Sequence, residues 1–122
     1  MEFGFSKEHA LLKQMYREFA ENEVKPLAAE VDEMERFPVE TVEKMVKAGF
    51  MGIPFPKKYG GEGGDNLGYA MAVEELSRVC GTTGVIVSAH TSLGAHPIFE
   101  FGTEEQKEKF LVPLAKGEKL GA

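Results

Sequence analysis

Cysteine is nearly absent from this chain: Cys80 stands alone. A single cysteine rules out an intrachain disulfide framework and fits a reducing, cytoplasmic compartment. Basic charge is also short. The chain has 14 Lys and Arg against 20 Asp and Glu, a net charge of -6 over 122 residues. That leaves no basic stripe for phosphates, which argues against nucleic-acid binding and against attraction to an anionic membrane surface. Long apolar runs are missing too. The longest uncharged stretch lies between Arg78 and Glu100, and two histidines, a proline and several hydroxyls interrupt it. It reads as a buried segment, not a membrane span. Met1-Glu2-Phe3-Gly4-Phe5 has neither the basic nor the apolar region of a secretory signal. Strand-like alternation, internal repeats and low-complexity tracts are not found.

What the sequence does contain is helical. Ser6 is placed to cap a first helix with Glu8 in its first turn. Leu12, Met15, Phe19, Val24, Leu27, Val31 and Met34 form its apolar stripe, and Pro26 is expected to kink or loosen it. Pro38 opens a second helix with Val39, Val42, Met45 and Val46 inward and Gly49 at its end. The stretch "FMGIPFPKKYGGEGGDN" is a long loop. Asp65 or Asn66 caps a third helix whose apolar positions are Leu67, Ala70, Met71, Val73, Leu76 and Val79, with Gly81 as its stop. Thr82 or Thr83 starts a fourth, uncharged helix with a break at Pro97. Thr103 and Gln106 match a capping box for a fifth, which buries Phe110, Leu111 and Leu114. The expected fold is all-α, about five helices in an orthogonal or up-down bundle. A helix apolar on all sides needs cover on all sides, either from the middle of this bundle or from another domain.

The residues alone offer no catalytic constellation. "YGGEGGDN" lacks the Gly-Lys-Ser/Thr ending of a phosphate loop and the spacing of a dinucleotide fingerprint, so a packed turn is expected. His90 and His96 lie about 240° apart in helical projection and cannot ligate one metal together. His90 is the more interesting of the two, because its neighbours are small and uncharged. Cys80 reads as a small buried hydrophobe at a helix end. Glu74-Glu75 and the group Glu30, Asp32, Glu33 and Glu35 read as solvated helix faces.

Four stretches, in order, resemble one family. "REFAENEVKPLAAEVDEMERFP", "AGFMGIPFPKKYGGEGGD", "AVEELSRVCGTTGVIVSAHTSLGAHPI" and "FGTEEQKEKFLVPLAKGEKLGA" look like the N-terminal helical domain of the acyl-CoA dehydrogenases, closest to the short-chain, butyryl-CoA type. The resemblance implies a larger, oligomeric flavoenzyme, a tetramer, with a middle β-domain and a C-terminal helical domain. It implies FAD as cofactor and oxidation of an acyl-CoA thioester to the 2-enoyl-CoA. It places the catalytic glutamate and the flavin contacts outside residues 1–122, so no catalytic, cofactor or metal residue is carried over. Residues 118–122 are then the linker and first strand residues leading into the β-domain, and the chain alone is expected to be inactive. Two surfaces do carry over. Ile86, Ala89, His90 and Leu93 would line the acyl-chain pocket. Leu12, Phe50 and Ala72 would dock an electron-transferring flavoprotein, and Glu62 stands where some relatives have an apolar residue. Two other readings stay open. One is a stand-alone helical interaction module derived from this domain. The other is the same chemistry on branched-chain or aryl acyl-CoA.

Overall fold

A computed structural model describes residues 3–122. Among them the chain forms five helical rods and no strand, as the sequence pattern predicts. Rod one starts at Ser6, whose hydroxyl accepts from the His9 amide at 3.1 Å. It runs through α1 (Lys7–Phe19), a π-helical stretch (Ala20–Val24) and α2 (Lys25–Met34). Pro26 is the second residue of α2, so the expected loosening takes the form of the π stretch just before it. A proline has no amide hydrogen and crowds the carbonyl four residues back, and a widened turn relieves both problems. The same arrangement recurs twice. Rod four is α5 (Gly81–Ser88), a π stretch (Ala89–Ala95) and α6 (His96–Phe101), with Pro97 second in α6. Rod five is α7 (Glu104–Gln106), a π stretch (Lys107–Leu111) and α8 (Val112–Ala115), with Pro113 second in α8. The capping box at its start is formed: Thr103 and Gln106 bond reciprocally at 2.8 and 3.1 Å.

Rods two and three are α3 (Val39–Lys47) and α4 (Asn66–Val79). Asp65 caps α4 by accepting from Gly68 N–H at 2.8 Å. The junction after α4 differs from expectation. Gly81 does not stop the third helix; it begins the fourth. Cys80 alone is extended, at φ −155° and ψ 104°, and terminates both helices. One extended residue is enough to fold α5 back against α4.

The buried stripes also differ in part. On α4 the buried residues are Gly68, Met71, Ala72, Glu75 and Leu76, while Leu67 and Ala70 face outward. The cause is packing between two partners, α1 and α5, which selects the face between them. Met15, Met34, Val39 and Phe110 are likewise exposed, because no element covers their side of the rod. The core has two parts. Val24, Met45, Phe50, Met51, Ala72, Leu76 and Val87 anchor the first. Phe55, Tyr59, Ala95, Leu111 and Ala115 form the second.

The glycine-rich loop is a packed turn, as expected. It holds two short 3-10 turns, Phe50–Gly52 and Lys57–Tyr59. The amides of Gly61, Glu62, Gly63 and Gly64 donate to the carbonyls of Pro56, Gly52, Phe55 and Ile53 at 2.8–3.2 Å. A Cβ on Gly61 would meet the Phe55 carbonyl oxygen at 2.2 Å, so only glycine fits there.

Candidate functional site

The first of two surfaces is a cleft between α1 and the loop. It has a volume of about 410 Å³, and Leu12, Met15, Tyr16, Phe50 and Ile53 give it an apolar interior. Phe50 is its floor, not an exposed patch: it is 3% accessible and packs against the rings of Tyr16 and Phe19 at 5.3 and 4.7 Å. Ala72 is fully buried and does not reach the cleft. Of the three predicted docking residues, the structure thus brings Leu12 and Phe50 together and leaves Ala72 in the core.

Acidic and polar groups rim the cleft. His9 Nε2 donates to Asp65 at 2.8 Å, tying the start of α1 to the cap of α4. The Gly68 amide and then His9 hold the Asp65 carboxyl below its ordinary range. Burial pushes the Tyr16 phenol up, and the charges of Glu62 and Asp65 push it further. Glu62 folds over Gly49, whose φ of +83° and lack of a Cβ make room for the carboxylate.

The second surface is the outer side of rod four. Ile86 and Ala89 are half-buried and Leu93 is 68% exposed. Val85, which the sequence reading passed over, lies one helical turn from Ala89 and is 65% exposed. Helical spacing puts Val85, Ala89 and Leu93 along one line, and the five rods leave Val85 and Leu93 on it uncovered. His90 does not belong to that face. Its side chain is fully buried and its ring is held by backbone groups, which corrects its place among the wall residues. Burial lowers the His90 pKa, against the opposing pull of the Met51 and Leu114 carbonyls.

Glu75 is also corrected. It is buried, not solvated, and pairs with Lys13 at 3.0 Å and Arg78 at 3.3 Å. Burial pushes its carboxyl up, but the bonds and charges of Lys13 and Arg78 prevail and leave it lowered. Glu74 stays exposed. Glu30, Asp32, Glu33 and Glu35 are exposed as expected, with Arg36 bridging Glu30 and Glu40 at 3.1 and 2.8 Å.

Residues 6–118 match the model of the acyl-CoA dehydrogenase N-terminal domain. The chain belongs to the acyl-CoA dehydrogenase family. It is 70% identical, over its whole length and 32% of the relative's, to a short-chain specific acyl-CoA dehydrogenase of Clostridium acetobutylicum. Among solved structures it resembles butyryl-CoA dehydrogenase from Megasphaera elsdenii, with a TM-score of 0.91 and 39% identity over 98% of this chain and 32% of that one. It also resembles a chain in the structure of the electron transferring flavoprotein of Acidaminococcus fermentans, with a TM-score of 0.94 and 46% identity over 98% of this chain and 32% of that one. The chain therefore spans about a third of the length of these relatives.

Within this acyl-CoA dehydrogenase domain, two backbone features that could suggest an anion site are already satisfied internally. The amides of the glycine loop are spent on backbone carbonyls. The N-terminus of α4 is likewise closed by the Asp65 carboxylate. Among the described residues no helix is long and apolar enough to cross a membrane.

Proposed function

We propose that this chain is the helical N-terminal domain of an FAD-dependent, short-chain acyl-CoA dehydrogenase and gives that enzyme two binding surfaces. The enzyme would oxidise the Cα–Cβ bond of an acyl-CoA thioester to a 2-enoyl-CoA, in the cytoplasm and as a homo-oligomer. FAD, held by the β and C-terminal domains, would supply the hydride acceptor. This chain would supply the wall that keeps water from the acyl chain: Ile86, Ala89 and Leu93, joined by Val85, with His90 behind it. An apolar wall suits a step that develops carbanion character, because excluded water cannot quench it. The buried Glu75 is committed to Lys13 and Arg78 and is not free to serve as the proton acceptor.

The observation that carries this reading is the uncharged line of Val85, Ala89 and Leu93, whose two large side chains lie open while Val87, His90 and Thr91 of the same rod are buried. The 70% identity to a short-chain specific relative supports the substrate class. The test is Leu93→Ala in the intact enzyme. The shortened side chain deepens the pocket, so kcat/KM should shift towards longer acyl chains by about tenfold relative to butyryl-CoA, on the scale of one to two lost methylene contacts. An unchanged chain-length profile removes Leu93 from the wall.

The cleft of Leu12 and Phe50 is the second surface. It would receive an apolar side chain of an electron-transferring flavoprotein, with Glu8, Glu62 and Asp65 meeting basic groups around that anchor.

A further inference from the structure

We propose that His90 is a neutral-imidazole latch that fixes the exit segment, residues 117–122, against rod four. Its Nε2 lies 3.1 Å from the Met51 carbonyl and 3.0 Å from the Leu114 carbonyl, so that nitrogen carries the proton and donates to both. Its Nδ1 accepts the Gly121 amide at 2.9 Å. One buried ring therefore ties together the 50–52 turn, α8 and the exit segment, all from rod four. Contacts one turn further along reinforce the arrangement. A Cβ on Gly94 would come 2.9 Å from the Gly121 Cα, and a Cβ on Gly121 would come 3.2 Å from the Gly94 Cα. Two bare glycines allow the segment to lie directly on the rod, at the height where Nδ1 meets its amide.

The arrangement works only with a neutral ring. A proton on Nδ1 removes the acceptor and turns it towards a second N–H. No charged side chain is among the ring's partners to stabilise a cation. The 50–52 turn and α8 carry none, His96 on the same rod is exposed, and Lys116, Glu118 and Lys119 on the exit turn are exposed. His90 is thus a positioning residue. Ala89 beside it belongs to the proposed acyl wall, so the latch sets where the exit segment runs relative to that wall. This last consequence rests on the functional reading above; the latch itself does not.

NMR on the full 122-residue chain tests it. The His90 ring nitrogens should show the single Nε2–H tautomer at pH 7.5, with the Gly121 amide protected from exchange. As pH falls, protection at Gly121 should drop about tenfold or more with the midpoint of the His90 titration. A different tautomer, or Gly121 exchange that ignores His90 protonation, overturns the latch. Two variants separate the ring's halves. Asparagine places an acceptor near Nδ1, so His90→Asn should keep much of the Gly121 protection. Glutamine reaches only the Nε2 side, so His90→Gln should lose it. Equal protection in both overturns the proposal. If either variant fails to fold, the wild-type titration decides alone. Neither readout involves substrate, so the latch and the acyl-pocket reading stand or fall separately.

Discussion

At the level of single residues, buried ionisable groups are what the sequence concealed. The pair Glu74-Glu75 reads as a solvated face because charge usually marks solvent. The structure buries Glu75 because Lys13 on α1 and Arg78 on α4 converge on it, and no local pattern announces a partner 62 residues away. Glu75→Gln keeps the shape and removes the charge, leaving two cations short of their partner. It should cost about 1–3 kcal/mol, the usual range for an impaired buried polar contact, read as a lower urea midpoint at pH 7. Because the Glu75 carboxyl is held below its unfolded value, its contribution is full above that value and fades as pH falls through the lowered one. Wild type and variant should therefore converge in acid. A constant gap across pH would mean that the charge is not what matters. His90 has the same sign for a different reason. Burial lowers its pKa, so its contribution is full above the ordinary histidine value and declines as the unfolded chain begins to take up protons below it. The histidine stood out in the sequence for its small, uncharged neighbours, but its carbonyl partners come from distant turns and could not be read there.

At the level of elements, most of the fold was legible. Ser6 and Thr103 are caps in the structure as in the sequence, and of Asp65 and Asn66 the structure selects Asp65, since capping depends on a side chain and amides two or three residues away. Pro26 and Pro97 were legible as disturbances, and Pro113 was not singled out; the π stretch before each of the three gives the disturbance one shape. Cys80 was legible as a helix end, but Gly81 was read as a stop because glycine commonly ends helices; here it starts α5 with open space around it, and the glycine that the crossing requires is Gly84. Gly84 shows the demand of that hairpin. A Cβ there would lie 1.8 Å from the Ser77 Oγ, 2.9 Å from its Cβ and 3.1 Å from its Cα. The hydroxyl can rotate away, but the Cβ and backbone cannot. Alanine favours a helix over glycine by about 1 kcal/mol, and overpacking costs typically 1–3 kcal/mol. Gly84→Ala should lose the balance by roughly 1 kcal/mol, seen as a lower thermal midpoint; an equal or higher midpoint would show that α4 and α5 can separate freely.

At the level of the whole molecule, the uncharged fourth helix posed a choice between the middle of this bundle and the cover of another domain. The structure puts one side of it in the middle of the bundle and leaves another side open: His90, Thr91 and Val87 are inside, while Val85 and Leu93 are exposed. The cleft itself was only half legible. Leu12 and Phe50 line it together, Ala72 does not, and the loop that brings the first two together is shaped by glycine contacts far outside helical periodicity. Placing a charge in the cleft should weaken docking without touching the chemistry. In the intact enzyme, Leu12→Asp should slow reduction of the electron-transferring flavoprotein about tenfold or more and spare turnover with a small dye acceptor. Equal loss with both acceptors would argue for a general structural defect. The central claim concerns the wall, and the most direct measurement is kcat/KM of the intact enzyme across a panel of straight-chain, branched and aryl acyl-CoAs. A short-chain dehydrogenase should peak at butyryl-CoA and fall steadily with added methylenes; a maximum at long-chain, branched or aryl substrates would contradict the account.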